Sequence, residues 1–183
     1  EKKKFKGLEL KDKKIGLIGF GNVAYRVSQI LEGFGMEIFT YSKSFESRKN
    51  NYPDINSISL EKLISTCEII SFHCKLPADG KPIINIQELN KMKKNAVIIN
   101  TARGNLVNEK DLKEALDNST ILGAAIDVFS EEPAKNNILF GTKNLILTPH
   151  IAASTIEAQI VVAKQIAEQV SDFLNNGNII NSV

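Results

Sequence analysis

Four places in the sequence have residue types and spacing fit for chemistry. Gly19-Phe20-Gly21-Asn22-Val23-Ala24 is a G-x-G-x-x-A run. Its first glycine permits a tight turn, its second lets a phosphate approach the backbone, and the small third position lets a helix pack closely on a strand. A helix starting there offers free N–H groups to a pyrophosphate. Arg103 stands in Asn100-Thr101-Ala102-Arg103-Gly104, and a guanidinium fork grips a carboxylate through two parallel hydrogen bonds. His150 closes Leu147-Thr148-Pro149-His150, and an imidazole is a proton acceptor suited to neutral pH. Glu132 lies in Phe129-Ser130-Glu131-Glu132-Pro133, and a carboxylate beside an imidazole orients it and favours its charged form. Oxidation of a 2-hydroxy acid by a nicotinamide cofactor needs one cation, one base and one such carboxylate. Singly, each of these residues is more often a surface or structural side chain. Their joint placement after apolar segments is what points to a site.

The elements that would position them follow from periodicity. Apolar runs alternate with helical patterns along the chain, which predicts βαβ units and a parallel sheet. Ile15–Ile18 reads as the first strand, Val23 to Phe34 as an amphipathic helix, and Met36–Tyr41 as the second strand. A polar stretch from Ser42 to about Asn56 follows, with a weak third strand at 55–58 and a short helix from Leu60 to Ser65. Strands are expected at Glu68–His73, Ala96–Asn100, Leu122–Val128 and Leu145–Leu147, with helices at Ile86–Lys93 and after Asn108. Ser154 with Glu157 has the spacing of a capping box. After it, Ile156, Ile160, Ala163, Ile166, Val170, Phe173 and Leu174 form an apolar stripe that Gly177 stops. The expected fold class is α/β, a doubly wound parallel sheet of Rossmann type forming one dinucleotide-binding domain over residues 1–183. Glycine loop, Arg103, Glu132 and His150 then all fall at strand ends, where open α/β sheets bind ligands.

Composition narrows the alternatives. The chain has 183 residues, enough for a full core, and a net charge of +2 that gives no electrostatic reason for nucleic acid or an anionic membrane as partner. No apolar run reaches the length of a membrane span. Lys2, Lys3 and Lys4 fit a solvated terminus better than a targeting signal, so a cytoplasmic protein is expected. Cys67 and Cys74 make no disulfide framework, and no metal site is expected because further ligands are not spaced for one.

The glycine loop lacks one expected companion. An acidic residue should follow about 20 positions later to hold the adenine ribose hydroxyls. That place reads Tyr41-Ser42-Lys43. A carboxylate would repel a 2′-phosphate, whereas serine and lysine tolerate one. NAD is the leading expectation and NADP its rival.

Taken together, the glycine loop, Ser71-Phe72-His73, Asn100–Gly104, Gly123–Phe129, Glu131-Glu132-Pro133 and Thr148-Pro149-His150 resemble the D-isomer-specific 2-hydroxyacid dehydrogenases. The similarity starts at Phe5-Lys6-Gly7-Leu8-Glu9-Leu10 and runs over nearly the whole chain. It implies that Arg103, Glu132 and His150 are catalytic, with Arg103 and His150 also touching the cofactor. It further implies that Gly19, Gly21, Asn22 and Val23 hold the pyrophosphate and that Ser42 meets the ribose. His73 and Cys74 would wall the adenosine. Thr101, Ala102, Ala152 and Ala153 would line the nicotinamide end, and Asp127 would hold its carboxamide. His150–Gln159 and Asn176–Val183 are most similar to members acting on a phosphorylated hydroxy acid. Ser42, Asn22, Tyr25 and Lys75 depart from the usual pattern.

The resemblance also implies a small 2-hydroxy or 2-oxo acid as substrate, a homodimer, and a separate substrate domain that this chain lacks. A reductase of glyoxylate or hydroxypyruvate and a non-enzymatic nicotinamide-sensing module are the competing expectations.

Overall fold

The computed structural model describes residues 7–53 and 55–181. Lys2 to Lys4, the Phe5-Lys6 start of the family resemblance and the Ser182-Val183 end lie outside them. The chain divides into two compact units, one ending at Pro149 and one beginning at His150.

The first unit is built on seven parallel strands: β1 (Lys14–Ile18), β2 (Glu37–Tyr41), β3 (Asn56–Ser57), β4 (Ile69–Phe72), β5 (Val97–Asn100), β6 (Gly123–Ile126) and β7 (Leu145–Leu147). Their order is β3-β2-β1-β4-β5-β6-β7, the doubly wound arrangement expected from the sequence. Helices α1 (Asn22–Glu32), α2 (Leu60–Thr66), α3 (Ile86–Leu89) and α4 (Glu109–Asp117) connect them.

Period-two alternation in β1 divides the core. Ile15 and Leu17 pack on one side with Phe20, Ala24, Met36, Ile38 and Phe45. Ile18 joins the larger cluster of Leu63, Ile70, Phe72, Ile98 and Leu112 on the other. Thr40 is buried between strands, and its hydroxyl donates to the Leu17 carbonyl at 3.0 Å.

Three local expectations are corrected. The helix from Ile86 stops at Leu89 rather than Lys93. Asn85 caps it reciprocally with Glu88, and the chain then turns to send Met92 into the core. The stretch after β2 is a 3-10 helix over Glu46–Asn51, fastened by the fully buried Phe45. The last helix, α5 (Ile156–Asn176), is capped by Thr155 rather than Ser154. Ser154 N–H donates to the Ile151 carbonyl at 2.9 Å, and the Thr155 hydroxyl accepts from Ala158 N–H at 3.1 Å.

In this second unit, Gly177 ends α5 at φ 71°, a left-handed position suited to glycine. Ile166, Val170 and Phe173 line a cavity of about 390 Å³ with Ile179 and Ile180. No helix among the described residues is long and apolar enough to cross a membrane.

Close packing between β1 and α2 generates a test. A Cβ at Gly16 would lie 2.3 Å from Leu63 Cδ2, and Leu63 is fully buried. Gly16→Ala is expected to cost about 1–3 kcal/mol by overpacking. Adding Leu63→Ala should recover part of that loss, so the double variant falls short of the sum of the singles. Urea midpoints of the four proteins check this, and strict additivity would mean that Gly16 does not press on Leu63.

Candidate functional site

Strand order reverses at β1, which pairs with β2 on one side and β4 on the other. Two backbone hydrogen bonds continue past the strand ends. Gly19 N–H donates to the Tyr41 carbonyl at 2.8 Å, and His73 N–H donates to the Ile18 carbonyl at 2.8 Å. They set the glycine loop between Ser42 and His73. Gly19 has φ +92°, and a Cβ there would meet the His73 carbonyl oxygen at 2.6 Å. Both strain and space therefore demand glycine. At Gly21 nothing lies within 4 Å of a built Cβ, so the loop's outer side is open.

Behind this loop, α1 begins with no side-chain cap and no acidic residue in its first turn. Its first N–H groups thus face outward with positive partial charge. Val23 lines a cleft of about 270 Å³ together with Phe72, His73, Cys74, Lys75, Thr101, Ala102 and Arg103. An open glycine, an uncapped helix start and two cations are a fitting cradle for a pyrophosphate.

The loop after β5 is held by the buried Asn100. Its Nδ2 donates to the Arg103 carbonyl at 2.9 Å, and its Oδ1 accepts from Ala102 N–H at 3.1 Å. Arg103 is exposed and lines the cleft. Gly104 follows it, and a Cβ there would sit 1.9 Å from the Phe129 carbonyl oxygen. This places the Arg103 loop directly against the loop after β6.

That second loop carries Glu132, whose Oε1 accepts from Phe129 N–H at 2.9 Å. Glu109, at the start of α4, accepts from Ser130 N–H at 2.7 Å, from Ser130 Oγ at 2.9 Å and from Asn137 Nδ2 at 2.8 Å. Asp127 is 3% exposed, and the Thr148 hydroxyl donates to its carboxylate. The first unit thus gathers the glycine loop, Ser42, His73, Cys74, Thr101, Ala102, Arg103, Asp127 and Glu132 at the C-terminal ends of its strands. His150 opens the second unit at φ 54°, with Ala152 and Ala153 after it.

Burial acts on two of these groups. It lowers the His73 imidazole to about 4 and raises the Cys74 thiol. His73 Nε2 lies 2.9 Å from Ser71 Oγ. A neutral imidazole against a neutral hydroxyl makes this wall uncharged. Among the described residues no group of three His, Cys, Asp or Glu could hold a metal.

Asn100 and Glu109 carry no signal of their own as site residues. Asn100 is legible only as the last residue of an apolar strand, and Glu109 only as an acidic residue in a helix's first turn.

A parallel sheet with a glycine loop at its switch point, an uncapped helix behind it and a cationic cleft beside it defines a dinucleotide-binding domain of Rossmann type. Residues 1–152 match the family described as D-isomer specific 2-hydroxyacid dehydrogenase, NAD binding domain. The chain belongs to that family, and its cofactor is a nicotinamide dinucleotide of the NAD type.

It is 37% identical over 185 residues to a D-3-phosphoglycerate dehydrogenase of Methanocaldococcus jannaschii, covering 99% of this chain and 35% of the relative. It is 37% identical to a glyoxylate reductase of Thermococcus litoralis, covering 92% and 51%. An acyclic imino acid reductase, Bsp5, solved in complex with NADPH and D-Arg, superposes with a TM-score of 0.85 at 34% identity, covering 93% of this chain and 54% of that one. The chain therefore spans about a third to a half of the length of these proteins.

His73 supplies a pH test. Its imidazole stays neutral in the folded chain down to about 4, while the unfolded chain binds a proton below the ordinary 6.5. The stability it leaves is complete above 6.5 and is lost as pH falls from there through 4. His73→Gln should flatten that decline. Urea midpoints for both proteins at about pH 7.5 and about pH 4.5 measure it. Equal declines would place the acid sensitivity elsewhere.

Proposed function

We propose that this chain is the cofactor half of an NAD(P)-dependent D-2-hydroxyacid dehydrogenase that oxidises 3-phosphoglycerate to 3-phosphohydroxypyruvate, a step of serine biosynthesis. The observation that carries the reading is Arg103, held at the cleft beside the glycine loop by Asn100. The match along 99% of the chain to a phosphoglycerate dehydrogenase supports the choice of substrate.

In this reading Gly19, Gly21, Asn22 and Val23 hold the pyrophosphate against the start of α1. Ser42 meets the adenine ribose, and His73 and Cys74 wall the adenosine. Thr101, Ala102, Ala152 and Ala153 line the nicotinamide end, and Asp127 holds the carboxamide. The bound nicotinamide supplies a hydride acceptor. Arg103 binds the substrate carboxylate through its planar fork and so fixes which hydrogen faces the ring. His150 takes the hydroxyl proton as the hydride leaves, and returns it in the reverse direction. By the family resemblance, Glu132 is the carboxylate that favours the charged imidazolium.

The relative acting on glyoxylate, at the same 37% identity, favours a second reading in which the protein reduces a small 2-oxo acid. Steady-state kinetics of the full-length protein on 3-phosphoglycerate, glyoxylate and hydroxypyruvate separate the two. A kcat/KM highest for 3-phosphoglycerate supports the first, and turnover of only the unphosphorylated acids sinks it.

In the same enzyme, His150→Gln should cut turnover by about 10²–10⁴-fold, with a much smaller change in NADH affinity. Arg103→Lys keeps the charge but loses the fork, so it should raise KM more than it lowers kcat. A His150→Gln enzyme of normal turnover would remove histidine from the proton path.

The family resemblance also carries a homodimer, related by a two-fold axis. Light scattering at high protein concentration should give twice the chain mass, and a clean monomer mass would overturn it.

A further inference from the structure

The segment between β2 and β3 contains Lys43, Arg48 and Lys49 against two carboxylates, Glu46 and Asp54. It is not a loose surface loop. Phe45 is fully buried, and the ring of Phe20, inside the glycine loop, packs edge-on against Phe45 at 5.0 Å and Tyr52 at 5.2 Å. Tyr25, in the first turn of α1, adds a contact to Tyr52 at 4.9 Å. These rings hold the 3-10 helix against the loop that takes the pyrophosphate.

Arg48 lies on the inner side of that helix. Its Nη2 donates to the Phe20 carbonyl at 2.7 Å and to Ser44 Oγ at 3.2 Å, and its Nε donates to the Ser44 carbonyl at 3.3 Å. Ser44 Oγ is in turn 3.4 Å from Ser42 Oγ. Ser42 occupies the end of β2, where a carboxylate would hold the ribose hydroxyls. One guanidinium is thus fixed within a hydrogen bond of both the glycine loop and the serine pair. Its Nη1 takes no protein acceptor among the described residues. Glu46 is exposed, and no ion pair joins it to Arg48 among the described residues.

We propose that Ser42, Ser44 and Arg48 form a subsite for the 2′-phosphate of a phosphorylated nicotinamide dinucleotide, with Arg48 as the residue that sets this preference. The inference rests on the dinucleotide site at the glycine loop. A 2′-phosphate brings nearly two negative charges and three acceptor oxygens. The two hydroxyls and Arg48 Nη1 supply donors, and Lys43 supplies further positive charge. Among the described residues, no carboxylate bonds to Ser42, Ser44 or Arg48 in place of the missing ribose acid. The guanidinium is already ordered by its bonds to Phe20 and Ser44, so little side-chain freedom is lost on binding.

Calorimetric titration of the purified protein with NADH and with NADPH tests this. NADPH should bind at least as tightly as NADH. Arg48→Gln removes one charged donor and should weaken NADPH by about ten- to a hundredfold, with less than about a threefold change for NADH. Ser42→Asp restores the carboxylate, should weaken NADPH by at least about tenfold, and leaves NADH bound. Circular dichroism confirms that each variant folds.

Wild-type binding of NADH about thirtyfold or more tighter than NADPH would overturn the subsite while leaving the dinucleotide site standing. So would equal losses of both cofactors in Arg48→Gln, which would make Arg48 only a brace for the glycine loop. Absence of binding for both cofactors would overturn the dinucleotide site itself, and the subsite with it.

Discussion

Everything at the ligand end of the first unit depends on β1 sharing its two edges between strands that leave in opposite directions. Parallel pairing to β2 and to β4 puts the following connections on opposite faces of the sheet. The space between their departures cannot be closed by either. The chain crosses that space only as the glycine loop, because Gly19 must pass beneath the His73 carbonyl with a positive φ. Helix α1 then starts at the mouth of the gap with its N–H groups turned toward it. The site is therefore a product of strand order before it is a product of any side chain.

The two neighbouring loops achieve fixed shapes by a different route. Neither has regular structure, and each is held by one polar side chain serving several backbone groups. Asn100 folds the segment carrying Arg103, and Glu109 collects the amide and hydroxyl of Ser130 with the amide of Asn137. Gly104 lets the first loop touch the carbonyl of Phe129 in the second. Buried or multiply bonded polar groups of this kind define a single loop conformation, because any other leaves donors or acceptors unmet.

The parts of this architecture that repeat along the chain could be read from the sequence. The short buried run at Ile15–Ile18, the helical spacing of Leu112, Ala115 and Leu116, and the near-continuous apolar run at Ala96–Asn100 each announce one local element. The glycine loop was legible because its backbone demands are local too. What escaped was non-local. Nothing near Arg48 says that its partner is the carbonyl of Phe20, 28 positions earlier. The 3-10 helix exists because Phe45 and Tyr52 find aromatic partners on another element, and polar composition alone cannot reveal that. The cap of α5 falls on Thr155 rather than Ser154, a choice between two adjacent hydroxyls that spacing cannot decide. Arg103 and Glu132 could be singled out by type and position, but the bonds that fix their loops could not.

The aromatic packing around Phe20 has an optical corollary. The chain contains no tryptophan and three tyrosines. Tyr25 and Tyr52 meet at a tilted angle in that cluster, and Tyr41 receives the glycine-loop hydrogen bond on its carbonyl. Two of the three tyrosine rings therefore sit beside one loop, while the Tyr41 ring packs against the larger core cluster. With no tryptophan present, tyrosine emission reports largely on that corner. The protein carries a built-in, label-free gauge of how its glycine loop is packed.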